Sequence, residues 1–136
     1  MEDVEITREN EGSNWPWLAR MIDASGYIEL DWEPGRFCEL RPLIGFYSDY
    51  YPDINYARQM FGFGDVCVAD RDGYYLWAVE GSLAFLVAGR IQGTVCIQAR
   101  RLSAVLDLAD LNVRSRSRLQ DRLRYEYLIE LKERCA

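Results

Sequence analysis

Apolar residues recur along the chain at two spacings. From Trp17 to Ile22 they fall on a helical stripe, with Trp17, Leu18, Met21 and Ile22 on one side. Asn14 or Ser13 can cap that helix and Pro16 suits its first turn, so a helix is expected from about residue 14 to Ala24. Gly26 is expected to end it with a positive φ. The period then changes to two. Ile28, Leu30 and Trp32 alternate with Glu29, Asp31 and Glu33, the pattern of a half-buried strand. Pro34-Gly35 marks a turn, and a second strand is expected over roughly Phe37 to Tyr47. Pro52 and Asp53 open a helix, Ile54 to Phe61, with Ile54, Ala57 and Phe61 inward and GFG stopping it. Asp65 to Ala69 and Tyr74 to Val79 read as strands joined by a hairpin at Arg71-Asp72-Gly73. Helices follow at Leu83 to Arg90, Gln98 to Leu108 and about Ser117 to Arg134. The last carries Leu119, Leu123, Tyr127 and Leu131 at four-residue steps. The order αββαββααα specifies a mixed α+β domain with one four-stranded antiparallel sheet and extra C-terminal helices.

Length and composition narrow this picture. The 136 residues suit one domain: residues 1–13 as a flexible leader, 14–136 as the α+β body, and 112–136 as its basic C-terminal loop and helix. No apolar run reaches the roughly 18 residues of a membrane span, and the acidic start MEDVEITREN does not read as a signal peptide. Four scattered cysteines and no histidine argue against structural zinc and against a cysteine–histidine nucleophile, and suit reduced thiols in a cytoplasmic compartment. The net charge of −6 is uneven. Residues 1–99 carry 7 Lys/Arg against 16 Asp/Glu, and residues 100–136 carry 9 against 6. A surface made for a phosphate backbone is basic, and only the C-terminal part offers that.

Three local signatures give the pattern a family likeness. LARMIDASG (18–26) matches a known nonapeptide at Leu18, Ala19, Ile22, Asp23, Ala24 and Gly26; FGFG follows the middle helix; YLWAV precedes a helix and IQGTVCIQARRLSAVLDL. Together they resemble the LAGLIDADG homing endonucleases over about residues 14–110. The resemblance implies an αββαββα core whose first helix packs on a twin through small residues, here Ala19 and Ala24. It implies an acid at the end of that helix holding divalent metal, and a concave sheet face lying in a DNA groove.

The sequence departs from that pattern at the positions that carry the chemistry. The family's metal-binding acid falls at Ser25, a neutral and poor ligand for a hard cation. Asp23 lies two residues away and points elsewhere on the helix, which suits a structural hydrogen-bonding role. The small residue of the helix seam is Arg20, a guanidinium that would hold two backbones apart or pair with Asp23 across a rearranged interface. The position of the family lysine aligns with Gln98; Arg100 and Arg101 stand near it and are candidates to compensate or plain surface charges. Alternation sends Glu29, Asp31, Glu33 and Asp65 to the face where DNA would lie, with Arg36 and Arg41 the cations near it. Such a face repels polyphosphate.

The basic run NVRSRSR offers Arg114, Arg116 and Arg118 either as phosphate contacts or as solvated surface. Phe46, Tyr47, Tyr50 and Tyr51 form an aromatic cluster that reads as core and a partner-facing edge. The expectation is therefore a noncatalytic binding protein, without metal or other cofactor, monomeric or dimerising outside the family's mode. Its partner is expected to be a protein with a basic surface, which an acidic DNA-mimicking inhibitor of phage or mobile-element origin would bind. The alternative is an endonuclease or DNA-binding protein acting on duplex DNA with Mg²⁺.

Overall fold

The computed structural model describes residues 8–36, 39–70, 73–114 and 121–136. Its elements are α1 (Arg8–Ser25), β1 (Gly26–Trp32), β2 (Leu40–Ser48), α2 (Tyr51–Phe61), β3 (Asp65–Val68), β4 (Tyr75–Glu80), α3 (Ser82–Ile91), α4 (Ala99–Arg114) and α5 (Asp121–Arg134). The strands pair antiparallel in the order β1-β2-β4-β3. Register follows from the pleat: Ile28 opposes Ile44, Ile44 opposes Val79, and Phe46 opposes Trp77, so one face is apolar from edge to edge. Helices α1 to α4 pack against that face. Trp77, Phe46, Leu18, Ile22, Ile54 and Ile91 are fully buried there; each such side chain contributes roughly 1.5–3 kcal/mol of transfer free energy.

Several expectations shift. Helix α1 starts at Arg8, so part of the stretch read as a leader is helical and Pro16 lies inside the helix; Arg8, Glu9 and Glu11 are good helix formers. Gly26 is not among the positive-φ glycines. It is needed because α1 passes straight into β1 there, and an added Cβ would meet the Gly45 carbonyl and come within 2.7 Å of Ile22 Cα. In α2 the buried residues are Ile54, Ala57 and Met60, while Phe61 is half-buried among aromatics. Trp32, expected in the core, is 37% exposed at the sheet edge and stacks on Tyr125 of α5. In α5 Leu131 is buried and Tyr127 packs against the core as expected, but Leu123 is 67% exposed and Leu128 is buried in addition, so the stripe runs at three- and four-residue steps through Leu128 and Leu131 to Cys135 just beyond the helix. Leu119 lies outside the described residues, as do Phe37 and Cys38 at the expected start of the second strand.

The FGFG turn has a packing reason. Gly62 ends α2 in the left-handed conformation with its N–H on the Arg58 carbonyl. Gly64, at φ +104, leaves room for the Trp77 indole, whose Nε1 donates to the Phe63 carbonyl at 3.1 Å.

Candidate functional site

The end of α1 is tied to the start of α4. The Asp23 carboxylate accepts the Cys96 N–H on Oδ2 (2.7 Å) and the Gln98 N–H on Oδ1 (3.1 Å). Those amides stand at the α4 N-terminus, where an anion is favoured by the helix dipole and by donors with no intrahelical acceptor. The Gln98 side chain answers in the other direction. Its Nε2 donates to the Ile22 carbonyl (2.7 Å) and the Gly26 carbonyl (3.1 Å), the carbonyls released where α1 becomes β1. The two carbonyls fix the amide orientation, since a flipped amide would face them with oxygen. Gln98 is buried and its Oε1 has no hydrogen-bond partner. Asp23, read as a structural hydrogen-bonding residue, and Gln98, at the family's lysine position, are thus joined in one clamp. Ser25 is engaged elsewhere, donating to the Tyr47 carbonyl at 2.7 Å.

This donor set does not fit a divalent cation. Ser25 offers a neutral hydroxyl, and both Asp23 oxygens are held by amides. Among the described residues no group of three His, Cys, Asp or Glu side chains could hold a metal ion. Arg100 is exposed and Arg101 lies beside Cys135, whose thiol donates to the Arg101 carbonyl; burial pushes that thiol up to about 11. On α1, Ala19 is fully buried within the chain's own core, whereas Arg20 and Ala24 are exposed. Within the chain Asp23 faces α4.

The outer face of the sheet gathers the acids. Pairing places Asp31 opposite Arg41; Glu29, Leu43 and Glu80 in a second row; Tyr27, Gly45, Ala78 and Asp65 in a third; and Tyr47, Leu76 and Cys67 in a fourth. Glu29, Asp31, Asp65 and Glu80 are exposed. Glu80, beyond the expected end of its strand, was not among the acids read from alternation; the strand's extra residue is the only signal that could have placed it. Arg41 is the one cation in these rows. It pairs with Glu80 at 3.6 Å and lies 4.0 Å from Glu33, too long for a hydrogen bond, so its Nε stays without one. Arg36 pairs with Glu39 in the turn at 3.5 Å. The single cation of the strands is therefore already matched, and Glu29, Asp31 and Asp65 set the sign of the face.

Tyr27 lies across Gly45, where a Cβ would come within 2.7 Å of its hydroxyl, and its ring is 5.8 Å from that of Tyr47. Burial, with Tyr47 and Glu29 nearby, pushes the Tyr27 phenol up to about 12, so it stays neutral and protonated at ordinary pH. At the fourth row the face deepens into a depression of about 570 Å³ lined by Ser25, Tyr47, Cys67, Asp70, Tyr74 and Leu76 among others. It lies against the α1 C-terminus. Arg116 and Arg118 lie outside the described residues, as does the side chain of Arg114, the last residue of α4.

Neither a protein-family sequence model nor a curated relative matches the chain. Solved structures do. The homing endonuclease I-CvuI, in complex with DNA, superposes with a TM-score of 0.59 at 14% identity, covering 89% of this chain and 96% of that one. The archaeal intron-encoded homing endonuclease I-Vdi141I, also complexed with DNA, gives 0.63 at 13% identity, over 93% and 86% of the two chains. The LAGLIDADG meganuclease I-AabMI, bound to uncleaved DNA, gives 0.66 at 10% identity, with 86% of this chain matching 43% of that one. The fold is that of the LAGLIDADG homing endonucleases.

Proposed function

We propose that this chain is a noncatalytic binding protein on a homing-endonuclease scaffold, and that its outer sheet face docks a protein with a basic surface. The carrying observation is the composition of that face: among the described residues Glu29, Asp31 and Asp65 are exposed and make no ion pair, and the one arginine of the strands, opposite Asp31, is engaged by Glu80. A duplex brought there would set phosphates against Glu29, Asp31 and Asp65. At a physiological Debye length of about 8 Å such contacts are not screened away. A cationic protein surface gains from the same groups, in the manner of a DNA mimic, and the match raises its association rate. The end of α1 supports the absence of cutting chemistry, since Ser25 and Gln98 occupy the family's acid and lysine positions and are bound into the fold.

A second reading, binding of duplex DNA, is favoured by the solved neighbours, which were crystallised with DNA. One experiment separates the two. The full chain is titrated, at about 0.15 M ionic strength, with a fluorescent deca-lysine peptide and with a random-sequence duplex. The proposal expects salt-dependent binding of the peptide that Glu29→Lys with Asp31→Lys abolishes, and no retention of the duplex. Duplex binding with no peptide binding would replace it with the second reading.

A further inference from the structure

The proposed docking face does not end at its acids. The row Tyr47, Leu76, Cys67 leads into the depression of about 570 Å³, within the range of about 300–1,000 Å³ usual for small-ligand sites. Its lining has a definite chemistry. Leu76 and two tyrosine rings, Tyr47 and Tyr74, supply apolar and aromatic surface, and Tyr47 is 38% exposed. The Ser25 hydroxyl is turned to the Tyr47 carbonyl and is not held out as a donor to a ligand. Among the described residues of the lining the one formal charge is the Asp70 carboxylate, and Asp70 is exposed.

Resting on the function proposed above, we infer that this depression is the anchor point for an arginine side chain of the basic partner. Three physical reasons select that group. An anionic rim beside aromatic faces attracts a cation twice, through the carboxylate and through the ring quadrupole. A guanidinium is more weakly hydrated than an ammonium, stacks flat on a ring and can meet a carboxylate through two parallel donors, so arginine fits this lining better than lysine. A nucleotide base would also stack on tyrosine, yet its phosphates would be carried toward Asp70 and Asp65, and base-stacking sites are normally accompanied by cations. The depression abuts the acidic rows, so one partner segment can lay lysines or arginines on Glu29 and Asp31 and insert one arginine at the α1 end.

The test uses the full ¹⁵N-labelled chain and two small probes, N-acetyl-arginine-methylamide and its lysine counterpart. The arginine probe is expected to shift the Ser25, Cys67 and Leu76 amides saturably, with the lysine probe at least about fivefold weaker. Asp70→Asn and Tyr47→Ala are each expected to weaken the arginine probe by about five- to tenfold, and Tyr47→Phe, which keeps the ring, to leave it unchanged. A silent depression, an equal response to lysine, or a Tyr47→Ala chain that binds as before would overturn the inference. Deca-lysine on the same sample separates the two claims. Shifts at Glu29 and Asp31 with a silent depression remove the arginine anchor and leave the docking face. Silence of both removes both. Concentration-dependent self-association that Arg20→Ala abolishes, with the same amides responding, would show that the guanidinium comes from a second copy and overturn the partner assignment.

Discussion

Replacing Asp23 with alanine asks whether this residue belongs to the fold or to a reacting site. The substitution leaves the Cys96 and Gln98 amides at the α4 N-terminus without acceptors. A hydrogen bond to a charged group contributes about 1.5–3 kcal/mol, and a lost helix cap typically costs about 1 and at most about 2 kcal/mol. The Cys96 bond is at an exposed site, where water can take over, so its share belongs at the low end. The two together come to about 2–3 kcal/mol. For 136 residues, each kcal/mol moves the melting midpoint by roughly 3–4 °C, so the expected fall is about 6–12 °C. Asp23→Asn keeps a neutral acceptor for one amide and should lose about half as much. Urea unfolding of wild type, Asp23→Ala, Asp23→Asn and a Ser25→Ala control gives the comparison, with unchanged slopes required for reading midpoints as stability. Ser25→Ala removes one exposed side-chain bond and should cost less than about 1 kcal/mol. Should Asp23→Ala lose less than about 0.5 kcal/mol, or gain stability while abolishing a divalent-ion dependence, the clamp reasoning fails and a metal-holding role returns.

Other consequences are as open to measurement. Because the Tyr27 phenol is held up at about 12 from 10.0, the folded chain keeps a proton that the unfolded chain releases, so stability is full below pH 10 and falls as pH rises toward 12. Discounted for partial exposure, the loss is about 1 kcal/mol; Tyr27→Phe should flatten that stretch of the urea-midpoint profile, and an unchanged profile would contradict the assignment. Leu128→Ala, at a fully buried position, should cost about 2–5 kcal/mol, whereas Leu123→Ala, on the exposed side of α5, should stay within about 0.5 kcal/mol; calorimetry of the pair checks which face of α5 packs. Gly45→Ala would bring a Cβ within 2.7 Å of both the Trp77 carbonyl and the Tyr27 hydroxyl, and should destabilise by about 1–3 kcal/mol, measured in the same way.

Periodicity made much of the architecture legible before any coordinates. The element order, the single antiparallel sheet and the outward parity of Glu29, Asp31 and Asp65 all follow from two alternating spacings. What it could not supply were relations between distant segments. Nothing local about Gln98 says that its amide reaches the Ile22 and Gly26 carbonyls. The four-residue steps read in α5 hold at Leu131 but fail at Leu123, because packing on α4 and β1 brings Leu128 inward instead. Trp32 obeyed strand parity yet stayed partly exposed, because parity says which way a residue points and not whether anything covers it. At the candidate site, Ser25 and Gln98 were readable as departures from a family pattern. The depression that opens beside Ser25 needed the β3–β4 end brought next to α1.

The clamp between Asp23 and the α4 entry also defines how far the protein can be cut down. Its hydrogen bonds join residues separated by 72 to 76 positions. A fragment ending after α3 would retain every strand and still strand the Ile22 and Gly26 carbonyls without donors. Such a fragment is therefore expected to be less stable than the full chain. Residues 96–98 complete the α1–β1 junction, and α4 and α5 beyond them complete the core.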